Sequence, residues 1–156
     1  HYTESDDIML PNEGRGNMRR KMLDNLMEWV DSKGRKPMIL RGARQTGKTY
    51  VVRQLAEKCG RELVELNFER HPEFADAFNS NSPSEIISTL EVILGKDIDE
   101  EKAILFLDEI QESAFILSKL RWFYEEMPQL PVIAAGSLLE FALGDYMESM
   151  PASVYL

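Results

Sequence analysis

Cysteine occurs once and histidine twice in the 156 residues. A single cysteine, Cys59, has no partner for an internal disulfide, which points to a reducing compartment and away from the disulfide-stapled secreted class. It reads as a small packed filler just ahead of a helix end at Gly60, with no basic cluster beside it to activate the thiol. His1 and His71 have no Cys or His neighbour at metal-ligand spacing, so no zinc site is expected. No Gly-x-Ser-x-Gly or other nucleophile motif appears, and covalent hydrolase chemistry has no support. Apolar runs fall well short of the roughly 18 residues that span a bilayer, and no basic-then-apolar leader opens the row. No membrane partner and a cytoplasmic location are the expectations. His1 stands where a Met is usual, so the ends of the sequence are not read as natural boundaries.

An excess of positive charge is also missing. The net charge is −9, and no basic aromatic stripe indicates a nucleic-acid partner. The charge is unevenly spread: residues 1–61 hold thirteen Lys and Arg against eight Asp and Glu, and residues 62–156 hold five against nineteen. The acidic half reads as a solvated surface. With 44% hydrophobic and 29% charged residues, the composition is that of one ordinary globular domain with a core of its own.

Residues 1–16 mix acids, Gly and Pro without periodicity and read as a mobile arm, leaving 17–156 as the folded domain. Met18, Met22, Leu26 and Val30, with Leu23 and Met27 beside them, predict an amphipathic helix from Asn17 to about Ser32 whose methionines pack a core. Met38-Ile39-Leu40 predicts a buried strand, and Val51, Val52, Leu55, Ala56 and Cys59 mark the inner face of a helix after it. A strand over Glu62 to Phe68 and a short helix from His71 to Asn79 follow. Ser82-Pro83-Ser84-Glu85 then opens a helix to about Leu94 by its cap and proline. Ala103 to Leu107 is a continuous apolar run, the pattern of a parallel strand covered on both faces. The spacing of Ile116, Leu120, Phe123 and Met127 predicts a long helix from Ser113 to Met127. Leu130 to Ala135 reads as another buried strand, and Ser137-Leu138-Leu139-Glu140 reads as a capping box. Strands alternating with helices imply an α/β fold with a mainly parallel sheet between two helical layers.

Between the first strand and the helix after it lies Gly42-Ala43-Arg44-Gln45-Thr46-Gly47-Lys48-Thr49, which matches G-x-x-x-x-G-K-[ST] in the strand–loop–helix context the motif requires. Glycines let successive N–H groups turn toward one point, and the helix N-terminus adds partial positive charge, so a phosphate chain fits there. Lys48 is expected to reach the β- and γ-phosphates, the Thr49 hydroxyl to ligate Mg²⁺, and Tyr50 to complete the nucleotide-binding set. Asp108 ends the most apolar strand, at the C-terminal end of the sheet where open α/β folds bind ligands. It is expected to hold Mg²⁺ with Thr49, and Glu109 to polarise the water that attacks the γ-phosphate. Ser137, after the last buried strand, is a candidate sensor of the γ-phosphate, although its cap position already gives it a structural task. Arg44 and Gln111 are expected to be solvated, Arg121 to be a surface or interface arginine, and no clear arginine finger is identified.

With those residues in view, the chain resembles a group of prokaryotic AAA-type P-loop ATPases. The resemblance rests on Leu40 to Thr49, on Leu105-Phe106-Leu107-Asp108-Glu109-Ile110-Gln111, and on Val132-Ile133-Ala134-Ala135-Gly136-Ser137-Leu138-Leu139-Glu140-Phe141-Ala142-Leu143. It covers roughly 17–151, and the last block, with Arg121-Trp122-Phe123-Tyr124-Glu125-Glu126, is the most particular to the group. It implies a three-layer P-loop NTPase sandwich with sheet order 5-1-4-3-2, and by position Ser137 looks like that family's sensor residue. Members generally continue into a C-terminal nuclease-like domain of uncharacterised function. Where many carry Gly-Arg soon after Met-Pro, this chain has Ala152-Ser153. Val154-Tyr155-Leu156 is expected to begin the fifth strand, leaving an incomplete edge on what reads as an N-terminal fragment. The expected activity is hydrolysis of Mg-ATP to ADP and phosphate that drives conformational change, with a homo-oligomer or a C-terminal domain as partner. A nucleotide-dependent switch with negligible turnover is the alternative, and a small-molecule kinase lacks a visible acceptor pocket or basic lid. No guanine-reading motif is recognised, and ATP against GTP stays open.

Overall fold

The computed structural model describes residues 12–42, 47–137 and 153–155. Its strands are β1 (Met38–Arg41), β2 (Glu62–Asn67), β3 (Ala103–Asp108), β4 (Val132–Gly136) and β5 (Ser153–Tyr155). They form one sheet in the order β5-β1-β4-β3-β2, and every pairing is parallel. The expected order is therefore observed, with Leu40 opposite Tyr155 at the β5 edge.

The continuous apolar run of β3 has its explanation in the two layers that cover it. Ile104 and Phe106 point into a core shared with Leu26, Trp29, Val52 and Leu55. Those residues belong to α1 (Asn12–Val30) and α2 (Lys48–Cys59). Leu105 and Leu107 point the other way, into a core with Phe78, Ile86, Leu90, Ile116 and Phe123. The second layer is built from α3 (Pro83–Leu94), α4 (Leu120–Glu126) and two 3-10 segments, Pro72–Asn79 and Ile110–Lys119. Each fully buried side chain of this kind contributes roughly 1.5–3 kcal/mol of burial free energy, so both layers are held to the sheet through its inner strands. Among the described residues no helix is long and apolar enough to cross a membrane.

Local chemistry sets the ends. Ser82 caps α3, its hydroxyl accepting from the Glu85 amide at 3.4 Å, and Gly95 closes the helix in a left-handed conformation. The Glu85 carboxylate accepts from the Ser80 hydroxyl at 2.8 Å, and that hydroxyl in turn accepts from the Ser82 amide. At the N-terminal end of the sheet, Arg35 donates to the carbonyls of Val30, Pro128 and Gln129 at 2.6, 2.9 and 3.1 Å and lies over the Trp29 ring. It thereby supplies the last turn of α1 with a donor and ties that helix to the loop before β4.

Two helices differ from the sequence reading. Helix α1 starts at Asn12, not Asn17; downstream packing outweighs the two interior glycines, each a cost of about 1 kcal/mol. The helix expected over Ser113 to Met127 is broken: a 3-10 segment runs to Lys119 with Ser113 at φ −145°, and only Leu120–Glu126 is α-helical. The apolar spacing there suits both geometries, so it could not separate them. The short helix expected from His71 to Asn79 is present over Pro72–Asn79, with 3-10 geometry. The Ser137 to Glu140 capping box lies mostly outside the described residues.

Candidate nucleotide site

The C-terminal ends of β1, β3 and β4 lie side by side in the sheet, and each leads into a residue of the motifs above. Gly42 follows β1, and its carbonyl accepts from the Lys48 ammonium at 3.0 Å. Ala43, Arg44, Gln45 and Thr46 lie outside the described residues. Gly47 caps α2 at φ +81°, a left-handed conformation that a side chain would strain. A Cβ there would also stand 2.6 Å from the Arg19 Nε. Its carbonyl accepts from the Val51 amide at 3.0 Å, the first turn of the helix.

Lys48 and Asp108 are the buried charged residues of the described chain, at 6% and 5% exposure. The Thr49 hydroxyl donates to Asp108 Oδ2 at 2.8 Å, and the Glu109 amide donates to Oδ1 at 2.9 Å. Burial pushes the Asp108 carboxyl above its ordinary range, while the Thr49 and Glu109 hydrogen bonds pull it back. Burial likewise lowers the Lys48 ammonium, against the opposing attraction of Asp108 and Glu109. Two desolvated charges of opposite sign make a site that gains from an ionic ligand able to meet both. A hydroxyl and a carboxylate are hard oxygen donors, the type Mg²⁺ takes. Two protein ligands leave most of its octahedral shell to phosphate and water, so this pair fits Mg²⁺ carried by a nucleotide.

Glu109 sits in the left-handed region at φ +53°, the only non-glycine residue among those described to do so. This turn directs the chain away from β3 and into the 3-10 segment. Gln111, expected to be solvated, is instead half-buried. Its Nε2 donates to Glu109 Oε1 at 2.7 Å, and its Oε1 accepts from the Ser137 amide at 3.3 Å. Ser137 thus stands at the tip of β4, two hydrogen bonds from Glu109. Tyr50 is 52% exposed, and the Arg19 guanidinium lies 5.4 Å from its ring centroid. Arg19 escaped the sequence reading because one cation in the run Arg19-Arg20-Lys21 carries no mark of which face it takes. Arg121 is exposed as expected, over the Trp122 ring and 3.4 Å from Glu125.

A parallel α/β sheet with a buried lysine at a glycine-initiated helix, beside a strand-end carboxylate, defines a P-loop nucleotide-binding domain. The sequence profile of the AAA domain family matches residues 34–155, and the chain belongs to that family. None of the curated proteins compared matches it. Among solved structures it is similar to the Aeropyrum pernix Orc1 protein in complex with DNA, at 20% identity and TM-score 0.55. It is also similar to C. elegans PCH-2, at 14% identity and TM-score 0.52. It is covered over 95% and 88% of its own length but spans only 46% and 42% of theirs. At such identities the likeness establishes the fold.

Proposed function

We propose that residues 17–156 form an ATPase domain of a longer cytoplasmic protein. It binds ATP with Mg²⁺ on Gly42 to Tyr50, hydrolyses it to ADP and phosphate, and passes the change to attached regions or neighbouring copies. One observation carries the reading: Thr49 and Asp108, 59 residues apart, meet at 2.8 Å beside the buried Lys48. A structural hydrogen bond alone gives no reason to bury two charges at the C-terminal end of the sheet, whereas a triphosphate and its cation give both an ionic ligand.

In this reading the α2 N-terminus and Lys48 bind and orient the phosphates. Thr49 and Asp108 would hold Mg²⁺, which when bound neutralises charge on the β- and γ-phosphate oxygens. Glu109 takes the proton of the attacking water, and Ser137 contacts the γ-phosphate from the tip of β4. Steady-state phosphate release from the wild type and Glu109→Gln tests the assignment. The amide oxygen of the variant still accepts from Gln111, so the fold and ATP affinity are kept. Turnover is expected to fall by about 100-fold or more, as for loss of a general base. Unchanged release refutes the role of Glu109, and tight ATP binding by a wild type that releases no phosphate favours the nucleotide switch.

A further inference from the structure

We propose that Gln111 is a positioning residue that ties the Glu109 carboxylate to the main chain at the tip of β4. The position of the water-activating group then follows that of the Ser137 peptide. The inference rests on the ATPase reading and adds to it a mechanical link between two loops that the sequence separates by 26 residues.

The chemistry of the link is restrictive. Its two ends are unlike: a carboxylate oxygen that only accepts, and a backbone N–H that only donates. The bridging side chain must therefore present a donor and an acceptor together, which a primary amide does and which also sets the orientation of that amide. Glutamate at this position would set two carboxylates against each other, and asparagine is one methylene too short to span both ends. Asn67, in register with Asp108 on the neighbouring strand, has its Oδ1 engaged by the amides of Glu69 and Arg70 at 3.0 Å each.

The last residue of β4 is shaped around the same amide. A Cβ on Gly136 would overlap the Gln111 Oε1 and stand 3.1 Å from the Ile110 Cγ2 and 3.3 Å from the Gln111 backbone nitrogen. Glycine at 136 is thus required for the close approach of Gln111 to the strand tip. After the left-handed turn at Glu109, Gln111 lies against the tip of β4 and reaches back from there to the Glu109 carboxylate. A ligand that displaces the Ser137 peptide pulls on Gln111 and, through it, on Glu109.

Gln111→Met keeps the volume and removes the amide, and Gly136→Ala crowds the amide without touching the phosphate loop. In the full chain, hydrogen exchange at the Ser137 amide is expected to accelerate by about 10-fold or more in Gln111→Met, since its hydrogen-bond acceptor is lost. Phosphate-release kcat is expected to fall by about 10- to 100-fold in both variants, the cost of a misplaced catalytic group. KM for ATP should stay close to wild type in both, and the thermal midpoint in Gln111→Met. Wild-type exchange at Ser137 in Gln111→Met overturns the link, as does a turnover loss matched by an equal loss of ATP affinity, or an unchanged kcat. A wild type without phosphate release overturns the ATPase reading alone, and the exchange arm then decides the link by itself.

Discussion

Replacing Asp108 by Asn separates what the site does for the fold from what it does for a ligand. The asparagine oxygen can take the Glu109 amide, and its NH₂ can donate to the Thr49 hydroxyl, which rotates to accept. Both hydrogen bonds survive while a charge at 5% exposure disappears. The free protein should therefore melt within a few degrees of wild type, since the desolvation relieved is offset by the counter-charge lost to Lys48. Ligand-dependent stabilisation should collapse. At a Mg-ATP concentration about 100 times the wild-type Kd, binding contributes about 2.7 kcal/mol; an affinity loss of about 100-fold leaves about 0.4 kcal/mol. At roughly 2–4 °C per kcal/mol for a chain of this size, a shift of about 5–11 °C falls to about 1–2 °C. Differential scanning fluorimetry with ATP, with and without Mg²⁺, reads both quantities. An Asp108→Asn protein that keeps the full Mg²⁺-dependent shift would refute the metal role. The pH dependence has a definite sign. The folded-state pKa of Asp108 is raised, so its stabilising contribution is complete below the ordinary carboxylate range and is lost as pH rises through the folded value. Asp108→Asn should remove that loss, and Mg²⁺-dependent ATP binding by the wild type should weaken on acidification before an ordinary carboxylate would protonate.

Two further outcomes follow from neighbouring contacts. Arg19→Ala removes a cation from beside Gly47 and Tyr50; ATP affinity measured by calorimetry should drop by about 3- to 10-fold, in keeping with a partly exposed charge near phosphate, and an unchanged Kd would assign Arg19 to packing alone. Arg35→Ala leaves three carbonyls without their donor at the opposite end of the sheet. Urea unfolding should show a loss of about 1–3 kcal/mol, with nucleotide affinity untouched; a change in affinity instead would contradict the separation of the two ends.

The parts of this molecule that sequence reveals are those written in local pattern. The glycine-lysine-threonine loop, the all-apolar β3 with its terminal acid and the Ser82 cap each declare a geometry over a few residues, and the parallel sheet follows from their alternation. The resemblance supplied the strand order. Gln111 was misjudged because its burial depends on the left-handed turn at Glu109 and on the bare Cα of Gly136, neither of which has a signature in the residues around it. Arg19 was passed over because only the packing of α1 on α2 brings it to Gly47. The break at Ser113 was invisible for a different reason: four apolar residues at helical spacing satisfy a 3-10 segment followed by a short α-helix as well as one long helix.

The most direct test is diffraction from crystals grown with a non-hydrolysable ATP analogue and Mn²⁺, using the anomalous signal of the metal. The account predicts one strong peak within about 2.0–2.2 Å of the Thr49 Oγ1, as for a directly ligated hard cation. It should lie on the Asp108 side, with the phosphates against Lys48. A nucleotide seated elsewhere, or a metal peak remote from Thr49 and Asp108 while the analogue is bound, would contradict it.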